Sequence, residues 1–151
     1  MISITDNNNL NKNKMIYEVT INYTKFDEEK QTEKSVKENF IVNEAESFSD
    51  AEQQAYTYCK ALKDADVTAI KQSKIKEIAN ERSNQDDSVW LAEMQDVFID
   101  DDGNEKPIKY RVAFFSPTYE SANAFITDYS RQGYEMQLVS LKLTKFGEVI
   151  Y

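Results

Sequence analysis

The side chains that most often carry out enzyme chemistry are scarce in this chain of 151 residues. It has no histidine, which removes histidine-based acid–base catalysis, the Ser-His-Asp and Cys-His nucleophile systems and most zinc sites. Its three glycines, Gly103, Gly133 and Gly147, are too far apart to form a phosphate-binding loop. We therefore expect neither enzyme activity nor a cofactor.

An acidic run is the next candidate for chemistry. Asp100, Asp101 and Asp102 precede Gly103, and carboxylates at alternate positions can ligate calcium. The spacing does not fit the calcium-binding helix–loop–helix motif, because the glycine comes too early and no glutamate closes the loop. A solvated hairpin turn at Asp102 and Gly103 explains the run, since glycine supplies the positive φ that such a turn requires. We expect no metal site.

The single cysteine, Cys59, is the one candidate for a reactive thiol. It falls on the apolar stripe of a predicted helix, so we interpret it as a small buried hydrophobic residue. One cysteine cannot form an intramolecular disulfide, which suits a reducing cytoplasm. The chain also lacks an apolar run long enough to span a membrane. We therefore expect a cytoplasmic protein.

One stretch of the sequence occurs twice. Residues 70–79 and 141–150 match without a gap as apolar, Lys, any, hydroxyl, Lys, apolar, any, Glu, apolar, apolar. A match of this kind indicates an internal duplication. It places the same pair of lysines on the outward side of a strand in each copy: Lys71, Lys74, Lys142 and Lys145.

Two interpretations of these lysines stay open. They could contact the phosphates of a nucleic acid, or they could form cross-strand ion pairs with glutamates such as Glu77 and Glu148.

Aromatic residues also allow two interpretations. Most of them fall on the buried phase of a strand or helix, where core packing accounts for them. Rings on an exposed sheet face could instead stack on unpaired bases, and the candidates are Tyr17, Tyr23, Trp90 and Tyr110.

Composition restricts the partners of the chain. The net charge of −9 argues against binding duplex DNA or anionic lipid by charge alone. The length suits one domain, or two small halves that share a core. We expect residues 1–14, which are rich in asparagine, to be a flexible leader without a signal peptide, and Met15 could be an alternative start.

The first half of the predicted fold covers residues 15–80. Alternating apolar residues at 16–23 predict a strand, and 40–42 predict a second one. Residues 26–37 are either a long hairpin loop or strand ends that project beyond the sheet. A helix begins at a Ser47 or Ser49 cap and ends near Lys63 or Asp64. Residues 67–78 form a third strand.

The second half repeats this plan over residues 89–151, after a polar connector at 81–88. Strands are expected near 89–99 and 108–114, a helix over 119–131 that Gly133 closes, and a final strand over 136–150 with a bulge near Lys145. The predicted fold is α+β: tandem β-β-α-β units share one core about a pseudo-twofold axis, with two helices packed on antiparallel sheet. An open sheet edge would permit a homodimer.

The chain resembles a domain-of-unknown-function family of gut-type bacteria and their tailed phages. The resemblance covers about residues 15–151 and rests on residues 16–19, 47–52, 70–71, 89–90 and 149–151. The Asn-rich leader and the absence of a proline near the terminal tyrosine depart from the family pattern. The resemblance implies an accessory protein of a phage or mobile element.

Two functions follow as hypotheses. In the first, a non-enzymatic accessory protein binds single-stranded nucleic acid on a sheet face, with aromatic rings that stack on bases and lysines that contact phosphates. In the second, an acidic protein-interaction module inhibits or adapts a host or phage enzyme, and the hairpin residues 26–37 and 100–102 make the contacts.

Overall fold

The protein is mixed α+β, with two helices and two mostly antiparallel sheets in a computed structural model. The structure describes residues 14–132 and 136–151, apart from the side chains of Val97 and Phe98. In chain order the elements are β1 (Met15–Asp27), β2 (Thr32–Ala45), α1 (Phe48–Cys59), β3 (Lys63–Gln72), β4 (Glu77–Ile78), β5 (Ser88–Ile99), β6 (Glu105–Ser116), α2 (Tyr119–Arg131), β7 (Gln137–Leu143) and β8 (Phe146–Ile150). The predicted leader, apart from Lys14, and Gly133 lie outside the described residues.

Contacts divide the chain into two units. Among the described residues, unit 1 contains residues 14–73 and 146–151, and unit 2 contains the residues from Lys74 to Lys145. These units do not coincide with the sequence repeats 15–80 and 89–151. The last strand of the first repeat, β4, lies in the sheet of unit 2, and the last strand of the second repeat, β8, lies in the sheet of unit 1. The pseudo-twofold axis and the shared core stay predictions.

Unit 1 is one sheet covered on one face by α1. The strand order of this sheet 1 is β3-β1-β2-β8, and β8 is parallel to β2 whereas the other pairs are antiparallel. Helix α1 begins where the Ser47 hydroxyl accepts from the Asp50 amide at 3.1 Å, as the sequence predicts. Its small side chains let the helix lie close to the sheet. The buried core consists of Tyr17, Val19, Ile21, Phe40, Val42, Ala45, Ala51, Ala55, Cys59 and Ile150.

Unit 2 has the same construction. The strand order of its sheet 2 is β4-β6-β5-β7, with β4 parallel to β6. Helix α2 begins at Thr118, whose hydroxyl accepts from the Ser121 amide at 3.2 Å. The helix packs its apolar side chains on one sheet face. The buried core consists of Trp90, Ala92, Met94, Val112, Phe114, Ala122 and Ile126.

The two predicted third strands are each broken into two strands that belong to different sheets. Ser73 still donates to Ile16 at 2.8 Å in sheet 1, but Lys76 donates to Arg111 at 2.8 Å in sheet 2. The single strand predicted over 67–78 is therefore wrong. The single final strand predicted over 136–150 is also wrong, since this stretch contains β7 and β8, which lie in different sheets. The change of apolar phase near Lys145, which predicted a bulge, marks this exchange of partners.

Two further local predictions have clear outcomes. Residues 26–37 are projecting strand ends and not a long loop, because β1 and β2 stay paired as far as Asp27 and Thr32. Helix α1 ends at Cys59, before the predicted Lys63 or Asp64. A turn follows, in which the Leu62 amide donates to the Cys59 carbonyl at 3.0 Å, and Asp64 has a φ of 51°, which a right-handed helix does not allow.

The polar connector before β5 is held by side-chain hydrogen bonds. Asp87 is buried, and its Oδ2 accepts from the Ser83 amide at 2.9 Å and from the Asn84 amide at 3.0 Å. The amide group of Asn80 donates to the Phe115 carbonyl at 3.1 Å and accepts from the Phe115 amide at 2.7 Å. The connector is therefore an ordered loop attached to β6.

Asp87→Ala should lower the free energy of unfolding at neutral pH. The amides of Ser83 and Asn84, which donate to the carboxylate, hold the pKa of Asp87 below its usual value of about 3.9. A carboxylate with a depressed folded-state pKa stabilises the protein above its unfolded-state pKa, and this stabilisation is lost as the pH falls through the folded-state pKa. The difference in the free energy of unfolding between wild type and variant should therefore reach its maximum above about pH 4 and decrease below that pH.

The matched control is Asp86→Ala, at an exposed neighbouring position. Urea denaturation at a series of pH values measures both variants. If Asp87→Ala lowers the free energy of unfolding by the same amount at neutral and at acidic pH, the role given to the Asp87 carboxylate is contradicted.

Ile126→Ala should lower the free energy of unfolding by about 2–5 kcal/mol, because it leaves a cavity in the core of unit 2. The Ile126 side chain is 0% exposed. Ile99→Ala is the control at an exposed position and should cost less than about 0.5 kcal/mol. Urea denaturation monitored by Trp90 fluorescence measures the free energy of unfolding of both variants. Equal losses of stability in the two variants would contradict the assignment of this core.

Candidate functional site

The two candidate aromatics of sheet 1 pack on the face that α1 covers. Tyr17 is 7% exposed and belongs to the buried core. Tyr23 is half-buried against the same core, and its hydroxyl donates to Glu38 Oε1 at 2.7 Å. Burial and this hydrogen bond raise the pKa of Tyr23, so the phenol stays neutral. Both rings have a packing role in this geometry.

The two candidate aromatics of sheet 2 are placed in the same way. Trp90 is 7% exposed, and its indole Nε1 donates to the Ser116 carbonyl at 2.9 Å. Tyr110 packs against the core beneath α2, and its hydroxyl donates to Glu77 Oε2 at 2.8 Å. Since Tyr17, Tyr23, Trp90 and Tyr110 all lie on helix-covered faces, the structure does not bring them together as an open stacking surface.

The repeated lysines are divided between the units. Lys71 lies on β3 of sheet 1, where its Nζ is 3.9 Å from Glu18 Oε1. Lys74, Lys142 and Lys145 belong to unit 2. The glutamate that pairs with Lys71 is thus Glu18, which the sequence analysis did not single out.

Within unit 2 the lysines lie toward opposite edges of the sheet. Lys74 precedes β4 at one edge, and Lys142 lies on β7 at the other. Two strands separate β4 from β7, which corresponds to roughly 14 Å between the edges. Lys145 follows β7, so Lys142 and Lys145 are the pair that shares one edge.

The acidic residues at the hairpin ends hold turns. Asp100 Oδ1 accepts from the amides of Asp102 at 3.0 Å and Asn104 at 2.9 Å, while Gly103 has a φ of +81°. The predicted turn at Asp102 and Gly103 is confirmed. At the other hairpin, Asp27 Oδ1 accepts from the Glu29 amide at 3.1 Å. The described residues contain no cluster of side chains suited to a metal ion.

Two clefts of unit 1 were not foreseen. One, of about 450 Å³, lies between α1 and the end of β8. Its polar lining is already engaged, because Asp50 Oδ2 accepts from the Glu46 amide at 2.9 Å and Gln54 donates to the Glu44 carbonyl at 2.7 Å. The other, of about 370 Å³, lies beside exposed Phe26 at the β1–β2 hairpin. A cleft forms between elements that are distant in sequence, so no local pattern announces it.

The cysteine has the buried position that its place on the helix stripe predicts. Cys59 is 9% exposed and packs in the core of unit 1. Burial raises the pKa of its thiol, which disfavours the reactive thiolate. Among the described residues, no helix is long and apolar enough to cross a membrane.

The exposed apolar side chains of sheet 2 are the feature that packing does not explain. Ile99 and Ile108 lie near the end of the β5–β6 hairpin, and Val139 and Leu143 lie on β7. We call these four residues the exposed apolar set. The sequence shows their apolar character, but only the strand order shows that β7 is an edge.

Comparison with protein families gives a match over most of the chain. Residues 15–151 match the family described as Domain of unknown function (DUF4494). No curated protein and no solved structure matches the chain. The matched region begins at Met15 and includes every strand and helix of the described structure. The resemblance to a domain-of-unknown-function family is thereby confirmed, and the chain belongs to the DUF4494 family.

Proposed function

We propose that this protein is a non-enzymatic interaction module that binds another protein through the exposed apolar set of sheet 2. The carrying observation is the exposure of these side chains, which is 63% for Ile99, 58% for Leu143, 51% for Val139 and 48% for Ile108. Single exposed apolar residues are common, but Val139 and Leu143 lie together on the edge strand β7, and neighbouring exposed apolar residues favour an interaction surface. The cores of both units are complete without them.

Binding of single-stranded nucleic acid is the competing proposal. It needs rings open to stacking beside a continuous basic surface. The four candidate rings pack under the helices, and Lys74 is separated from Lys142 by the width of sheet 2. The net charge of −9 adds general repulsion of a phosphate backbone. These observations favour a protein partner.

The internal duplication supports a modular origin for the fold. We infer that both units derive from one β-β-α-β segment. Replacing each strand of sheet 1, β3-β1-β2-β8, by its counterpart in the other repeat gives β7-β5-β6-β4, which is the order of sheet 2.

A triple variant tests the proposal: Ile99→Ser, Ile108→Ser and Leu143→Ser. Immobilised wild-type protein should retain a stoichiometric protein partner from a nuclease-treated lysate of the producing cells. The triple variant should retain at least about tenfold less, because exposed apolar anchors carry most interface energy. The control is Phe48→Ser with Tyr56→Ser, which removes exposed aromatic side chains from α1 and should not change retention.

The same proteins are then titrated into labelled single-stranded DNA, with fluorescence anisotropy as the measurement. We expect no binding at micromolar protein. Retention that depends on nucleic acid, or binding of the labelled strand that Lys142→Glu abolishes, would overturn the proposal in favour of strand binding.

A further inference from the structure

Strand β7 presents an open edge of sheet 2. Its described residues pair with β5 only. Thr144 donates its amide to Val89 at 3.0 Å, and amides alternate in direction along an antiparallel strand. The amides of Leu141 and Leu143 therefore point away from β5. A row of backbone donors and acceptors is left for an additional strand.

The other edges are better protected against such pairing. Proteins protect edge strands with charged residues, irregular register or short length. Strand β3 carries Lys63, Asp64, Asp66 and Lys71, and its register with β1 shifts twice. Strand β4 has two residues and β8 has five. Strand β7 has seven residues with a single charge and one register shift against β5, so it is the least protected edge in the described structure.

Apolar anchors lie along the same edge. Val139 and Leu143 are 51% and 58% exposed. Leu143 is paired with Trp90 across the two strands. The Trp90 ring centre is 6.0 Å from the ring centre of Tyr119, and Tyr119 is 57% exposed. Leu143 and Tyr119 thus flank Trp90 at one end of β7. An added strand could cover these side chains while it pairs with the backbone.

The charge of this edge selects its partner. Residues 137–145 contain Lys142 and Lys145 and no acidic residue, in a chain of net charge −9. A segment with acidic side chains complements these lysines. A second copy of this chain would bring identical lysines and a further net charge of −9, and residues 1–13 hold only one acidic residue, Asp6. The charges therefore favour a different protein.

We propose that β7 binds an extended, alternately acidic and apolar segment of a partner protein as an additional strand of sheet 2. This inference rests on the proposed interaction function and names the partner's chemistry and the mode of binding. Main-chain hydrogen bonds to β7 supply affinity, and contacts with Leu143, Val139 and Lys142 supply specificity.

Synthetic peptides test this mode directly. The probe is a labelled peptide of alternating valine and glutamate, titrated with the full chain at about 0.15 M salt, where long-range repulsion is screened. It should bind at least about tenfold more tightly than the same peptide with lysine for glutamate, or than one N-methylated at alternate backbone amides. Equal binding of the N-methylated peptide would overturn the proposal.

Variants of the protein locate the site. Lys142→Glu should weaken binding of the acidic peptide at least about fivefold, while Lys109→Glu, an exposed site on β6, which β5 separates from β7, should change it less than about twofold. Leu143→Pro removes an outward amide and should abolish binding. Equal effects of Lys142→Glu and Lys109→Glu would contradict a site on β7.

Amide exchange keeps the proposal testable if Leu143→Pro does not fold. In the wild-type chain the amides of Leu141 and Leu143 should exchange rapidly and become protected at saturating peptide. No protection at these amides would overturn strand addition.

The two proposals can fail separately. If a captured partner still binds Lys142→Glu and Leu143→Pro at full strength but is lost from the triple serine variant, the edge inference fails and the interaction function stands. If no protein partner is captured, the interaction function itself fails.

Discussion

Completion of each sheet by a strand from the other sequence repeat is the constraint on which this fold depends. Strand β8 pairs in parallel with Phe40, Ile41 and Val42 of β2, and β4 pairs in parallel with β6. Parallel neighbours need long connections, and here the connection from β2 to β8 includes all of unit 2. Unit 1 therefore lacks a core residue, Ile150, until the last part of the chain is in place.

Several polar and aromatic side chains within each unit also have structural roles. Tyr23 and Tyr110 bury their rings under a helix and satisfy their hydroxyls with Glu38 and Glu77. Asp87 holds the loop that follows β4. The candidate aromatic side chains are thus engaged in structure, and the proposed partner site uses the open backbone groups of β7 together with Lys142.

Local sequence patterns predict a large part of this fold. Alternating apolar residues mark β1, β5 and β6, the hydroxyls of Ser47 and Thr118 mark the helix starts, and Gly103 marks a turn. These features depend on neighbours within a few residues. The pattern also shows that Tyr17 and Tyr23 share one strand face, but coverage by α1 is a tertiary property that the pattern does not contain.

The breaks after Ser73 and Lys145 depend on distant partners. An apolar phase shift near Lys145 fits both a bulge in one strand and a transfer between two sheets, and only pairing with β2 distinguishes them. For the same reason the sequence does not identify β7 as an edge. Its apolar residues resemble those of an interior strand.

Nuclear Overhauser effects between backbone protons of β2 and β8 test the central claim most directly. Exchange of strands predicts close contacts between Ile41 and Val149 and between Val42 and Ile150, in parallel register. Contacts of residues 146–150 with residues 83–87, which an unbroken continuation of β7 in its register with β5 would produce, would contradict the exchange of strands between the two sheets.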